Sequence, residues 1–211
     1  MWSKNRAGIV PNSLDDELLP PQGAATIAGN VVSRNGSAQA ATGTEGFDVL
    51  YGVGIAIIGA EGDVVTKNWV AGNAVIGIGI APTPGIGGSF FTSSGNQVRD
   101  NAVSKSGLAD LGIIPGDADD LNCFAGNKFT TSAPSNIERL KPCVGAGSGD
   151  PAAGAVDLAK FLDTSKNPKG RNYKLTPLPR KQPNMAKATS AKAVPAGAPT
   201  MPALAAITTP G

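Results

Sequence analysis

Histidine is missing from all 211 residues. That absence removes a histidine general base, a Ser-His-Asp relay and any histidine-held metal. Aromatic residues are scarce at 5%, and charged residues make up 16%. The net charge of +2 is too small to point to nucleic acid, and the basic residues before position 160 are scattered. Basic clustering is confined to "KNPKGRNYK" and "PRKQ" near the end. The apolar stretch 74–82 is too short and too glycine-rich to span a bilayer. The opening "MWSKNRAGIV" lacks the apolar segment of a signal peptide. Only two cysteines occur, Cys123 and Cys143. Their closeness is compatible with a disulfide closing a short loop in an oxidising compartment, two buried thiols being the alternative.

Glycine and proline are plentiful, at 28 and 17 residues, which favours many short strands and turns over a helical bundle. Within that background one phrase returns. "ATIAGNVVSRN" (25–35), "DVVTKNWVAGN" (63–73), "NQVRDNAVSKS" (96–106) and "NCFAGNKFTTS" (122–132) align without gaps. One column holds Ile27, Val65, Val98 and Phe124, and three residues on stand Asn30, Asn68, Asn101 and Asn127. Val32, Val70, Val103 and Phe129 follow, then Asn35, Asn73, Ser106 and Ser132. A third apolar stretch reads Gly54-Ile55-Ala56-Ile57, Gly77-Ile78-Gly79-Ile80 and Gly112-Ile113-Ile114. The asparagines of the first column are 26 to 38 residues apart, so loops of different length separate constant phrases. Constant phrases with variable insertions are the mark of a solenoid, in which apolar columns stack inward and each unit rests on the next. Asparagines in register at the bends predict side-chain ladders that satisfy backbone groups a bent strand leaves unpaired.

The "N-x-V-x-x-N" phrases and "GIxI" stretches resemble the right-handed parallel β-helix repeat proteins of the pectate-lyase-like superfamily, over roughly residues 1–143. The resemblance implies an all-β, right-handed, single-stranded parallel β-helix from a secreted or cell-surface protein. It says less about activity, because lyases, hydrolases, epimerases and adhesins share this scaffold. Trp2, Asn5 and Gly8-Ile9-Val10 fit the second half of a repeat, so the first coil is expected to be incomplete and the chain to be the C-terminal portion of a longer protein. The exposed first coil would then favour self-association. "SAPSNIERLKPC" reads as a short helical turn. In 144–163, Asp150 as N-cap, Pro151, and a stripe of Ala155, Leu158, Phe161 and Leu162 predict a capping helix. Residues 164–211 read as an extended or disordered tail.

Candidate chemistry is thin. Lys67 and Asp100 occupy one slot on neighbouring coils, about 5 Å apart, a salt bridge or a glycan contact. Lys4, Arg34, Gly72 and Lys105 share another slot, a basic row able to touch an anionic glycan. Asp117, Asp119 and Asp120 gather in "GDADDLN", part of a calcium site or a solvated turn; the twelve-residue calcium-loop pattern is not there. "GIGIAPTPGIGG" lacks the Lys-Ser/Thr ending of a phosphate loop. No catalytic residue and no cofactor is therefore assigned. The expectation is a non-catalytic β-helix protein or fragment, a scaffold or glycan-binding surface with polysaccharide as its partner. The alternative is the C-terminal part of a polysaccharide lyase or hydrolase whose catalytic coils lie upstream.

Overall fold

A computed structural model describes residues 1–13, 18–36, 50–83, 91–115 and 120–157. The expectations for Asp117, Asp119, Leu158, Phe161, Leu162 and the tail from 164 fall outside these residues. Among the described residues the chain is all-β apart from one short helix. Its strands form three four-stranded sheets, and every pairing between them is parallel.

Strand β1 (Trp2–Ser3) opens the chain. Three units follow, each with one strand for each sheet. They are β2 (Thr26–Ala28), β3 (Val31–Ser33) and β4 (Val53–Ile58), then β5 (Val64–Thr66), β6 (Trp69–Ala71) and β7 (Ile76–Ala81). The third is β8 (Gln97–Arg99), β9 (Ala102–Ser104) and β10 (Ala109–Ile113). A last unit has β11 (Cys123–Ala125), a single bridge from Lys128 to Ala102, and β12 (Ser132–Ala133). Sheet I is β2-β5-β8-β11, sheet II is β1-β3-β6-β9, and sheet III is β4-β7-β10-β12. The order is compatible with a parallel solenoid.

The register reproduces the first two apolar columns, while Ser132 stands in β12 opposite Leu111 and not beside Ser106. Ile27 pairs with Val65, Val65 with Val98 and Val98 with Phe124. Trp2, Val32, Val70 and Val103 form the matching row in sheet II. Strand side chains alternate between faces, so the valines, Ile27 and Phe124 of these rows point inward together, while Trp2 at the end of its row is exposed. They join Ile55, Ile57, Ile78, Ile80, Leu111 and Ile113 of sheet III in one core cluster. Helix α1 (Ile137–Leu140) lies in the short helical stretch read from the sequence, and its fully buried Ile137 enters that core.

Two details differ from the sequence reading. Gly112 pairs with Gly79, not with Gly77, so the third apolar stretch was aligned two residues out of step. The slot opposite Gly77 therefore belongs to Asp110, a polar residue that hydrophobic matching passes over. Residues 151–154 form a turn, not the first turn of a helix, with Asp150 Oδ1 accepting the Ala152 N–H at 2.8 Å. Val156, not Ala155, makes the contact beyond it. It packs on the outer face of sheet III in a second apolar cluster with Ala56, Ile58, Ile76 and Ile114, and its N–H donates to the Ile113 carbonyl.

Candidate functional site

The polar candidates sit where the chain bends between sheets. Lys67 (φ 54°) and Asp100 (φ 57°) are left-handed residues on the bend between sheets I and II, in line with Gly29 (φ 67°) and Gly126 (φ 65°). Lys4, Arg34 and Lys105 are left-handed on the bend that leaves sheet II, in line with Gly72. A left-handed residue costs a non-glycine side chain about 1–2 kcal/mol, which is why glycine fills the same slot in other units. The backbone thus dictates the slot, while the charge on it is a choice of each unit. Asp100 and Arg34 and Lys105 are exposed, and Lys67 is half-buried. Asp100 forms an exposed ion pair with Arg99 at 3.6 Å.

The residue after each left-handed position turns inward and builds a ladder. Asn68 Oδ1 accepts the Asn30 N–H at 2.9 Å, and Asn101 Oδ1 accepts the Asn68 N–H at 3.0 Å. Asn127 Oδ1 accepts the Asn101 N–H at 3.0 Å. Each amide also donates: Asn68 Nδ2 reaches the Ile27 and Thr66 carbonyls and Asn101 Oδ1. A second ladder runs through Asn5, Asn35 and Asn73, with Asn73 Oδ1 accepting the Asn35 N–H at 3.1 Å. A third, absent from the sequence reading, joins Asp63, Asn96 and Asn122. Its signal was available: Asp63-Asn68-Asn73 and Asn96-Asn101-Ser106 keep a spacing of five residues.

Two of the three ladders end on a carboxylate, and where the second stops at Asn73 a carboxylate holds the bend beyond it. Glu138 Oε1 accepts the Asn127 N–H at 2.8 Å and its Nδ2 at 2.9 Å. Asp120 Oδ1 accepts the Asn122 N–H at 2.9 Å. Asp110 Oδ1 accepts the Ser106 N–H at 3.0 Å, while its Oδ2 accepts the N–H groups of Thr130 and Thr131. The reason is chemical. Every rung aims N–H donors toward the C-terminal end, and an ionised carboxylate is an acceptor only. Asp120, one of the three candidate calcium ligands, is thereby committed: its Oδ1 also receives the Lys141 ammonium in a buried pair. Among the described residues no group of three or more acidic or cysteine side chains could hold a metal. Cys123 and Cys143 are joined in a disulfide that ties β11 to the segment after α1.

Asp63 is the acidic member at the other end of its ladder. It is fully buried, its Oδ1 accepts the Ala25 N–H and Gln22 Nε2, and its Oδ2 is buried without a partner. Burial pushes its carboxyl above the usual range, and the bonds from Ala25 and Gln22 oppose that rise.

The surface feature missed by the sequence reading is Trp69. Its neighbour Val70 points into the core, so alternation places the indole on the outer face of sheet II. There Trp69 pairs with Val31 on one side and Ala102 on the other. Together with Ala102, Ser104, Lys128 and Thr130 it lines an open depression of about 300 Å³. One aromatic in one unit leaves no repeat signal. Both bends that carry the charged candidates border this same face: Lys67 and Asp100 where the strands enter, Arg34 and Lys105 where they leave. Compared with models of known families, with curated proteins and with solved structures, the chain matches none.

Proposed function

We propose that the chain winds as a right-handed parallel β-helix of the pectate-lyase-like kind. It acts without catalysis, outside the cell or on its surface, as a scaffold that presents a glycan-binding face. In-register parallel strands with buried asparagine ladders support the winding, and connections between parallel strands of one sheet are right-handed in about 98% of cases. The Cys123–Cys143 bridge supports an oxidising destination.

The observation that carries the binding role is Trp69 on the outer face of sheet II. An aromatic ring beside small residues offers a sugar's C–H face a flat apolar platform with polar groups at its rim, here Ser104, Lys128 and Thr130. Binding of the full chain to a panel of immobilised polysaccharides tests this, with Trp69→Ala as the comparison. Binding that Trp69→Ala removes supports the role; a chain that retains no polysaccharide at all overturns it. In the same samples, the release of reducing ends or unsaturated product is expected to stay at background. Turnover abolished by Asp100→Ala or Lys67→Ala would replace this reading with that of a lyase or hydrolase portion.

A further inference from the structure

We propose that the Cys123–Cys143 bridge is a site of reversible thiol–disulfide exchange, open in the folded chain to low-molecular-weight thiols such as glutathione. Its opening loosens the strap at 141–149 and leaves helix α1 and the ladders in place.

The position of the bridge carries this. Cys123 pairs in register with Gln97, and its neighbour Phe124 is buried in the core, so alternation turns Cys123 onto the outer face of sheet I. There both cysteines are half-buried and, with Gln97, Leu121, Leu140 and Lys141, line an open depression of about 420 Å³. Gly95 and Gly147 belong to the same lining and add no side chains to it. A volume of that size falls in the range of small-molecule sites, about 300–1,000 Å³. Access is what separates an exchangeable disulfide from an inert one, and burial does not deny it here.

The contacts around the bridge decide what opening does. Ile137 is fully buried in the core, and Glu138 accepts the N–H and Nδ2 of Asn127, so α1 is held without the bridge. The strap is pinned at two other places. Near its start the Phe124 N–H donates to the Lys141 carbonyl at 2.8 Å, and the Lys141 ammonium pairs with Asp120. Near its end the Ser148 N–H donates to the Arg139 carbonyl, and Arg139 Nη1 donates to Ser148 Oγ at 2.9 Å. Cys143 lies between these pins, so after reduction the two thiols stay within reach of one another and the bridge can close again.

In the exchange a thiolate attacks one cysteine Sγ and forms a mixed disulfide. The Sγ–Sγ bond breaks, and the other cysteine leaves with the electron pair and takes a proton. A second thiolate then attacks the external sulfur, releasing the remaining cysteine and a disulfide of the two external thiols. The protein bridge is reduced and two thiols are oxidised. The bridge thus closes in an oxidising setting and opens where thiols abound.

The full chain, kept folded without denaturant, is treated with increasing reduced glutathione, quenched with iodoacetamide and weighed intact. The expected result is two alkylated cysteines, with an intermediate that carries one glutathione. The rate rises in proportion to glutathione and exceeds that of global unfolding by at least about tenfold. Circular dichroism stays unchanged. The Ser148 amide exchanges hydrogen at least about tenfold faster, while those of Asn101 and Asn127 stay protected. Oxidised glutathione then restores the bridge. A rate that levels off at the unfolding rate, or labelling that requires denaturant, overturns the proposal and leaves a sealed structural bridge. Loss of the dichroism signal, or of protection at Asn101 and Asn127, also overturns it, because the bridge would then be holding the fold. Failure of oxidised glutathione to close the bridge overturns its reversibility.

Discussion

The first and second ladders use the same residue type on the same kind of bend, yet one is complete and the other is cut short. In the first, Asn68 and Asn101 are buried and every amide group finds a partner, down to Glu138 on α1. In the second, Ser106 stands where the next asparagine would, and its side chain is too short to continue the row. Asn73 Nδ2 and Ser106 Oγ are left buried without partners, so the ladder stops at Asn73, and Asp110 takes the Ser106 N–H beyond it. A ladder thus depends on reach as much as on polarity. It also needs space: a Cβ on Gly54 would stand 2.7 Å from Asn73 Nδ2, and one on Gly77 2.8 Å from Ser106 Oγ. Gly54 and Gly77 are therefore required by the next unit's backbone and the ladder beside them, whereas Gly79 and Gly112 face Ile76.

The largest expected effect breaks the complete ladder. Asn68→Ala removes the acceptor for Asn30 and the donor to the Ile27 and Thr66 carbonyls, for a loss of about 3 kcal/mol in denaturant melts. Asn73→Ala, in the interrupted ladder, is expected to lose about half as much. Equal losses from the two variants would show that ladder completeness carries no energy.

Next comes the end of the complete ladder. Reducing the bridge between Cys123 and Cys143, separated by 20 residues, is expected to lower stability by about 3 kcal/mol or somewhat less. Glu138→Ala strands the Asn127 donors and costs about 1–2 kcal/mol, while Glu138→Gln keeps an acceptor and costs less. Unchanged melting of Glu138→Ala would show that water serves Asn127 equally well.

Asp63 sharpens the comparison through pH. Its folded carboxyl holds a proton more tightly than the unfolded chain does, because burial raises it. That contribution is fully present below the ordinary aspartate value of about 4 and is lost as pH rises through the raised folded value. Asp63→Asn removes the loss and offers an amide toward Asn96, as Asn96 does toward Asn122. The variant is expected to melt higher than the parent at pH 7, with the gain shrinking toward pH 4. A gain independent of pH would assign it to the new hydrogen bond alone.

The smallest expected effect completes the short ladder. Ser106→Asn places an Oδ1 for Asn73 Nδ2 in the room that Gly77 leaves, and is expected to stabilise by about 1 kcal/mol. A loss of stability would mean that Asp110 already fills that room.

By itself the sequence determined the repeat, the inward apolar columns and two of the asparagine rows. Each rests on a residue type recurring at fixed spacing, and stacking requires that recurrence. The short helical turn was legible from its own local residues, and the stack runs on past Phe129 to β12 before it. Only the tertiary structure decided what happens once per molecule. The carboxylates of Asp120 and Glu138 reach two ladder ends from a loop and a helix, and Asp110 meets the bend beyond the third from strand β10, at no common spacing. Trp69 meets Ser104 and Lys128 in one depression because units 26 to 38 residues long bring distant positions one strand spacing apart. A periodic pattern encodes contacts between equivalents, whereas a site is made of residues that have none.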